Sequence, residues 1–352
     1  MARAAAGRPR ARTRPWSAPN APADAVLAGV DVGGTKIQVV VTDAGFRRLG
    51  ESRAQTPRTG GPPAVVRAIG DLVAQALADA GRPRASAVGV GAPGTIDCRR
   101  GIVSRSPNLA GWMDPFPLAA ELAKLVGAPV SVDNDVRAGM LGEHRLGAAR
   151  PFSDVIGVWF GTGVGGAVIL GGELRRGRAG ACGEIGHACV RPGGRRCGCG
   201  RRGCLEAYAG RASMERRARR LAGRGRETQL FRLMERLERD HVTSGVLARA
   251  LEHGDALAHQ LLDRAVWAAG AAIASAVNVL DVEAVVIGGG LGSRLGAPFV
   301  HRIASEMQPH LFVDGDSSVR VLPAALGDYA GALGAATQAA ESIGSTARRP
   351  GR

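Results

Sequence analysis

Four side chains that can bind a metal ion lie within one short segment of this chain. They are His187, Cys197, Cys199 and Cys204, and five glycines lie among them. Three thiolates and one imidazole complete a tetrahedral shell for Zn²⁺ and leave no position open for a catalytic water. Glycine permits the backbone angles that a short loop needs in order to close around one ion. The segment therefore predicts a structural zinc site that constrains the fold around it.

The cysteines also allow other interpretations. The chain carries six of them, so a disulfide network that includes Cys182 or Cys189 is one alternative, and thiols without a role are another. The sequence shows no secretory signal, and we expect a cytoplasmic protein whose thiols stay reduced. The spacing between Cys197 and Cys199 is tighter than that of the common zinc knuckle. We favour zinc and expect the other cysteines, which include Cys98, to pack in the core or lie on the surface.

The chain carries a large positive charge, which raises the question of a nucleic-acid partner. Its formal net charge is +15, and aromatic residues make up only 4% of the chain. It therefore lacks the stacking platform that proteins binding single strands use. We expect arginines on solvated faces and no nucleic-acid partner. We also expect no membrane partner, because the uncharged stretch Ala265–Leu280 is too short and too rich in alanine and glycine to span a bilayer.

Two patterns of strand, glycine turn and strand predict two related lobes. The first pattern comprises Val26–Val32, the turn Gly33–Lys36 and Ile37–Thr42. The second comprises Val155–Phe160, the turn Gly161–Gly166 and Ala167–Leu170. Between and after them, apolar strands alternate with helical runs, which indicates α/β architecture. We expect helices near residues 62–80, 118–126, 205–221, 227–239, 255–280 and 294–307, a helix that begins at Asp135, and strands near 87–91, 129–132 and 284–287.

These elements predict how the chain is organised. Residues 1–24 are rich in arginine and proline and form a disordered tail, and residues 342–352 form a second one. An N-terminal lobe spans residues 25–137, and a helix near residues 326–341 packs back on it. A C-terminal lobe with the zinc loop spans residues 138–325.

The glycine turns can bind phosphate, because backbone N–H groups approach an anion closely where no Cβ intervenes. The first turn also offers a carboxylate for Mg²⁺, a hydroxyl and a cation, in the set Asp31, Gly33, Gly34, Thr35 and Lys36. One such hairpin is more often only a tight turn. Two further glycine runs make a shared nucleotide site the better interpretation, namely Gly161, Thr162 and Gly163, and Gly288, Gly289 and Gly290.

Polar side chains follow the strand predicted near residues 129–132. Asn134 and Asp135 could serve only to cap the next helix. However, α/β proteins bind ligands at the C-terminal ends of strands, so Asn134 can cap while Asp135 projects into a cleft as a general base. With Asn108, Glu184 and Glu206, these residues supply the amides and carboxylates that bind the hydroxyls of a sugar.

Eight motifs occur in order over most of the chain. They are Asp31-Val-Gly-Gly-Thr-Lys, Gly91-Ala-Pro-Gly, Pro107-Asn-Leu-Ala-Gly-Trp, Asn134-Asp135, Gly161-Thr-Gly-Val-Gly-Gly, Glu184-Ile-Gly-His, Cys197-Gly-Cys-Gly-Arg-Arg-Gly-Cys-Leu-Glu206 and Gly288-Gly-Gly. In these motifs the chain resembles the ROK family of repressors, unassigned reading frames and sugar kinases, within the two-lobed actin/hexokinase-like (ribonuclease H-like) fold. It departs from the family at Val136-Arg137, where Ala-Asn is frequent, and in its N-terminal tail. The departure at Arg137 bears on which substrate is bound.

The resemblance implies an ATP-dependent kinase acting on the 6-hydroxyl of a hexose. The residue that matches Asp135 takes the proton of that hydroxyl in such kinases. The residues that match Asn108, Asn134, Glu184, His187 and Glu206 bind the sugar. His187 would thus bind zinc and also contact the sugar, and MgATP would bind between the lobes. We expect a homo-oligomer, either a dimer or a tetramer.

Glucose is the expected substrate, and the expected product is glucose 6-phosphate. This reaction would place the protein in carbohydrate metabolism, at the start of glycolysis. N-acetylmannosamine, fructose and allose stay open, because epimers differ by the hydrogen bonds of a single hydroxyl. A sugar-responsive repressor would need a helix-turn-helix domain, and the roughly 25 residues before Val26 are too few for one. A non-catalytic sugar sensor is disfavoured by Asp135 and the two glycine turns.

Overall fold

The computed structural model describes residues 21–313 and 319–346. Most of the tail predicted over residues 1–24 lies outside the described residues, and so do residues 347–352 of the second tail. The last helix extends to Thr346. This helix thus runs past residue 342, where the second tail was predicted to begin, and Ile343 packs against the first lobe.

Strands and helices alternate along the described residues. The strands are β1 (Leu27–Val32), β2 (Lys36–Thr42), β3 (Arg48–Gln55), β4 (Ala87–Ala92), β5 (Thr95–Asp97), β6 (Ile102–Ser104), β7 (Val130–Asn134), β8 (Val155–Phe160), β9 (Val164–Leu170), β10 (Glu173–Arg175), β11 (Ala284–Gly288) and β12 (Arg320–Pro323). The helices are α1 (Gly61–Asp79), α2 (Leu118–Val126), α3 (Asp135–Leu146), α4 (Glu206–Ala209), α5 (Arg211–Ala222), α6 (Leu230–Arg236), α7 (Ser244–Glu252), α8 (Ala256–Leu280), α9 (Gly289–Met307) and α10 (Ala330–Thr346). In the part of the chain that the structure describes, no helix combines the length and apolarity needed to cross a membrane.

Each lobe contains one five-stranded mixed sheet, and the two sheets have the same topology. The strand order is β3-β2-β1-β4-β7 in the first sheet and β10-β9-β8-β11-β12 in the second. In both sheets the first three strands pair antiparallel, and the remaining two join them in parallel. The repeated topology confirms the predicted two-lobed α/β fold.

The second glycine turn is shorter than predicted. Strand β9 begins at Val164, so the turn comprises Gly161–Gly163 only. Gly165 and Gly166 lie inside the strand, paired with Trp159 and Val158 of β8, and Val136 packs where a side chain on Gly165 would lie. Glycine in a strand often marks such a close approach rather than a turn.

Two predicted helices are also divided at glycines. The run 205–221 forms α4 and α5, which are separated by Gly210 with an extended backbone. The run 294–307 belongs to α9, which starts earlier, at Gly289, and is broken inside this run at Gly296. Apolar periodicity continued through both positions, so it did not reveal either break.

Helix α10 comes late in the chain and packs on the sheet of the first lobe. It lies across β1 and β4 and along α3. At Gly29 and Gly89 the strands have no Cβ, and the helix backbone at Ala332 and Ala335 occupies the space where one would lie. The helix therefore buries one face of the first sheet and connects the two lobes.

Candidate active site

Asp135 lies where β7 ends and α3 begins. The Oδ1 atom of Asn134 accepts hydrogen bonds from the amides of Val136 (3.1 Å) and Arg137 (3.3 Å), and so caps the helix. The Nδ2 atom of Asn134 donates to Oδ1 of Asp135 at 2.8 Å. The Asn134 side chain therefore both caps α3 and orients the carboxylate of Asp135.

Asp135 and Asp31 line one cleft between the lobes. The cleft has a volume of about 250 Å³, and its other walls include Lys36, Gly289 and Asp328. Burial raises the pKa of Asp135, and hydrogen bonds from the Val136 amide and the Asn134 side chain oppose the rise. Burial and the charge of Asp135 raise the pKa of Asp31 to about 7. Negative charge is thus concentrated in a cleft that a single lysine lines. This arrangement favours the binding of a proton or a cation.

Asp133, two residues before Asp135, is held in a separate ion network. It is 1% exposed, and its carboxylate accepts from Nε of Arg137 at 2.6 Å and from Nε of Arg176 at 2.7 Å. Burial would raise the pKa of Asp133, but the two guanidinium groups outweigh it and hold the pKa below its usual value. Arg137 also donates to the carbonyl of Gly180 at 2.7 Å. The structure thus directs Arg137 toward Asp133, and its charge also opposes the rise that burial causes in the pKa of Asp135.

The start of β9 brings the predicted sugar-binding segments together. The amide of Val164 donates to Oε2 of Glu206 at 3.1 Å. Gly186, between Glu184 and His187, packs against the carbonyl of Val164. Val136, which follows Asp135, packs on the same strand at Gly165. The catalytic candidate and two of the carboxylate-bearing segments therefore adjoin one short stretch of strand.

The four predicted metal ligands form a compact cluster. Their ligand atoms all lie within 4.8 Å of one another. The Sγ atoms of Cys199 and Cys204 are 3.8 Å apart, and Sγ of Cys197 is 3.8 Å from Nδ1 of His187. A tetrahedron with zinc–sulfur bonds of 2.3 Å has edges of about 3.8 Å. The cluster is consistent with a zinc loop, and all six cysteines, which lie in the described part of the chain, are free thiols.

Glu206 connects this cluster to the second glycine turn. Its Oε1 atom lies 3.5 Å from Sγ of Cys197, while its other oxygen accepts from Val164. Gly163 has no space for a side chain, because Glu206 fills it. Any ion that fixes the cysteine loop therefore also fixes a carboxylate at the turn predicted to bind phosphate.

A second cavity of about 650 Å³ lies beside the first glycine turn. Its lining includes Thr35, Asn108, Thr162 and Arg211. Nη2 of Arg211 donates to Oγ1 of Thr162 at 2.7 Å, which places a cation at the second turn. Arg211 was not among the predicted site residues, since nothing in the sequence distinguishes it from the many neighbouring arginines. Asp328, whose carboxylate is 3.4 Å from Nζ of Lys36, was not predicted either.

The remaining candidate residues take the following positions. Gly34 of the first turn packs against the exposed Asn108. Glu184 is exposed and His187 is half-buried. Gly288 ends β11, and Gly289 and Gly290 begin α9 and line the cleft of Asp31 and Asp135. The first turn thus borders both cavities, whereas Thr162 of the second turn lines only the larger one and Gly289 and Gly290 line only the cleft of Asp31 and Asp135.

Known proteins resemble this chain over most of its length. The model of the ROK family matches residues 27–342. A glucokinase from Thermotoga maritima is 34% identical over 321 residues, which cover 90% of this chain and 98% of that protein. An N-acetylmannosamine kinase from Escherichia coli is 30% identical over 308 residues, which cover 87% of this chain and 96% of that protein.

Solved structures show the same relationship. A ROK family glucokinase from Streptomyces griseus, in complex with glucose and AMPPNP, is 36% identical with a TM-score of 0.76, covering 89% of this chain and 99% of that one. A ROK family transcriptional regulator has the same TM-score at 22% identity, covering 90% of this chain and 78% of that one, so it shares the fold alone. Because the family model covers most of the chain and relatives exceed 30% identity over nearly all of it, the chain belongs to the ROK family.

Proposed function

We propose that this protein is an ATP-dependent hexose kinase that phosphorylates the 6-hydroxyl of its sugar, with glucose as the preferred substrate. The observation that carries the proposal is the position of Asp135, a carboxylate with a raised pKa in a cleft that Asp31 and Lys36 line from the first lobe and Gly289 and Gly290 line from the second. A base whose pKa lies nearer the working pH takes a hydroxyl proton more effectively. The glucokinase relatives support glucose, and the N-acetylmannosamine kinase supports the main alternative.

The sugar would bind at the start of β9. We assign its hydroxyls to Asn108, Asn134, Glu184, His187 and Glu206. Glu206 is the best positioned of these, because its carboxylate is already held by the Val164 amide and adjoins the cysteine cluster. Carboxylates and amides that are fixed before binding lose little entropy when a ligand arrives.

Transfer would require little covalent participation by the protein. The proton of the sugar's 6-hydroxyl passes to Asp135 as the bond from that oxygen to the γ-phosphorus forms. The bond between the γ-phosphorus and the bridging oxygen breaks, and ADP leaves with its electron pair. Positioning and charge stabilisation dominate such reactions. The backbone amides of the first two turns, with Lys36 and Arg211, are the groups that we assign to the phosphates, and the Gly288–Gly290 run is assigned to the adenosine.

Two metal ions fit the residues present. Mg²⁺, which neutralises phosphate charge when bound with ATP, would be held by Asp31, directly or through water. The raised pKa of Asp31 arises partly from the charge of Asp135, and a nearby cation would relieve that repulsion. Zinc would be held by His187, Cys197, Cys199 and Cys204, and would keep Glu206 in place. Closure of the two lobes, residues 25–137 with α10 and residues 138–325, would exclude water.

The test is ADP release by the purified full chain with a panel of sugars. Glucose should give the highest kcat/KM, ahead of N-acetylmannosamine, fructose and allose. Asp135→Asn provides the matched control, because it keeps the shape of the side chain and removes the base. A higher kcat/KM with N-acetylmannosamine would overturn the assignment of the substrate. Absence of sugar-dependent ADP release with every sugar would overturn the kinase itself.

A further inference from the structure

A cavity of about 480 Å³ lies between the zinc loop, α5 and α8. It is lined by side chains from three parts of the C-terminal lobe, which include Arg191 and Arg195 from the loop, Arg217 from α5 and Arg264 from α8. None of the residues assigned above to sugar, nucleotide or metal lines it. The cavity, called here the arginine pocket, is therefore separate from the proposed active site.

The arginine pocket contains positive charge without compensation. Four arginines line it and no aspartate or glutamate does, and within residues 21–313 and 319–346 none of the four forms an ion pair. Arg195 is also within electrostatic reach of Arg220. Arginines elsewhere have carboxylate partners, as Arg219 has in Glu215 at 2.7 Å. Guanidinium groups that converge without a counter-charge raise the energy of the folded protein.

Two donors in the arginine pocket are buried without a partner. They are Nη1 of Arg195 and Nε of Arg217. Six buried side-chain polar atoms lack a partner in the described part of the chain, and these two are the only charged ones. A buried donor without an acceptor destabilises the folded protein, and more so when the donor is charged. Both belong to side chains that line the pocket, where an anionic ligand would supply acceptors.

Aromatic rings hold Arg195 in position. Its guanidinium lies over the ring of Tyr208, 4.7 Å from the centroid, and its backbone amide donates to the Tyr208 hydroxyl at 3.1 Å. Tyr208 packs edge to face against Trp267, with ring centroids 5.7 Å apart. The pocket is thus organised before any ligand binds, which lowers the entropy lost on binding.

We propose that the arginine pocket binds a small anion that carries phosphate, either a phosphate ester or a pyrophosphate. Guanidinium groups recognise phosphate through parallel hydrogen bonds to several oxygens, which a group of three or four arginines can supply together. The volume of the pocket suits a small molecule. The surface of Tyr208 and Trp267 offers an apolar wall for the organic part of an ester.

The probe is inorganic pyrophosphate, and the measurement is calorimetric titration of the full chain. Arg217→Gln should weaken binding at least tenfold. Arg216→Gln is the matched control, because Arg216 is the neighbouring residue on α5, is exposed and does not line the pocket. It removes the same charge and should change the affinity less than twofold. Pyrophosphate should also raise the melting temperature of the wild type and of Arg216→Gln, but not that of Arg217→Gln.

Three results would overturn the proposal. They are no binding by the wild type at millimolar pyrophosphate, unchanged affinity in Arg217→Gln, and equal losses in the two variants. If pyrophosphate bound only in the cleft of Asp31 and Asp135, its affinity would be unchanged in Arg217→Gln. Titration with glucose 6-phosphate and with pyrophosphate compares the two classes of ligand, and binding of either that depends on Arg217 supports the pocket. These binding measurements do not depend on kinase activity, so a failure of the proposed function would leave them intact.

Discussion

Replacing Asp133 by asparagine should destabilise the folded chain by about 3–5 kcal/mol, the usual consequence of removing one partner of a buried ion pair. The pair that matters is Asp133 with Arg137, because their side chains are 1% and 3% exposed. Two unit charges about 4 Å apart interact by about 4 kcal/mol at an effective dielectric constant of 20. Asparagine keeps the shape of the side chain but leaves Arg137 buried without a counter-charge.

The second partner provides the control. The Arg176 side chain is 40% exposed, so solvent screens its interaction with Asp133, and Arg176→Gln should cost only about 0–1 kcal/mol. Equilibrium unfolding in urea at pH 7 measures both variants. A loss below about 1 kcal/mol in Asp133→Asn, or equal losses in the two variants, would refute the assignment of the buried pair.

The contribution of Asp133 to the free energy of unfolding should depend on pH. The pKa of Asp133 is lower in the folded protein than its usual value, so its contribution is fully present above about pH 4, the ordinary range of aspartate. It is lost as the pH falls through the folded value. The difference in unfolding free energy between wild type and Asp133→Asn should therefore shrink on acidification. A difference that grows at low pH would contradict the ion network.

Four further predictions concern the proposed site. Asp135→Asn should lower kcat at least about 100-fold while glucose affinity, measured by titration, stays within a few-fold; a variant that keeps a tenth of kcat would exclude Asp135 as the base. Cys199→Ser should lose bound zinc, measured by metal analysis, together with glucose affinity, since metal binding and local folding are coupled; full activity without zinc would contradict the role given to the loop. Glu206→Gln should raise KM for the sugar far more than KM for ATP in initial-rate assays, and equal effects would place Glu206 outside the sugar pocket. Because the pKa of Asp31 is about 7, its carboxylate is mostly protonated below that pH, so the Mg²⁺ concentration needed for half-maximal activity should rise on acidification; no change between pH 6 and 8 would exclude Asp31 as the magnesium ligand.

The sequence was sufficient to predict the features that depend on local chemistry. The spacing of His187 and the three cysteines predicted a cluster that the structure brings within 4.8 Å. Asn134 was expected to cap α3, and its side chain accepts from two amides of the first turn. Each of these features requires only neighbouring residues or a short loop, so the residue types and spacing carry the information.

Features that depend on tertiary contacts could not be predicted in this way. Gly165 was assigned to a turn, because only its pairing with Trp159 of β8 shows that it belongs to a strand. Arg137 was placed with Asp135 by proximity in sequence, whereas the fold pairs it with Asp133. The arginines after residue 190 were expected on solvated faces. Arg195 and Arg217 instead converge in a pocket, which requires knowledge of how α5 and α8 pack against the loop.

The position of α10 has a consequence for the order in which the protein folds during synthesis. Strands β1 and β4 belong to the first hundred residues, yet the helix that buries one of their faces begins at Ala330. At about 5–20 residues per second, a ribosome needs roughly 12–48 s to add the roughly 240 residues between Ala92 and Ala330. During this interval one apolar face of the first sheet is exposed to solvent, while the second sheet and its helices are synthesised. Until α10 is made, the nascent N-terminal lobe is therefore the part of the chain that we expect a chaperone to bind.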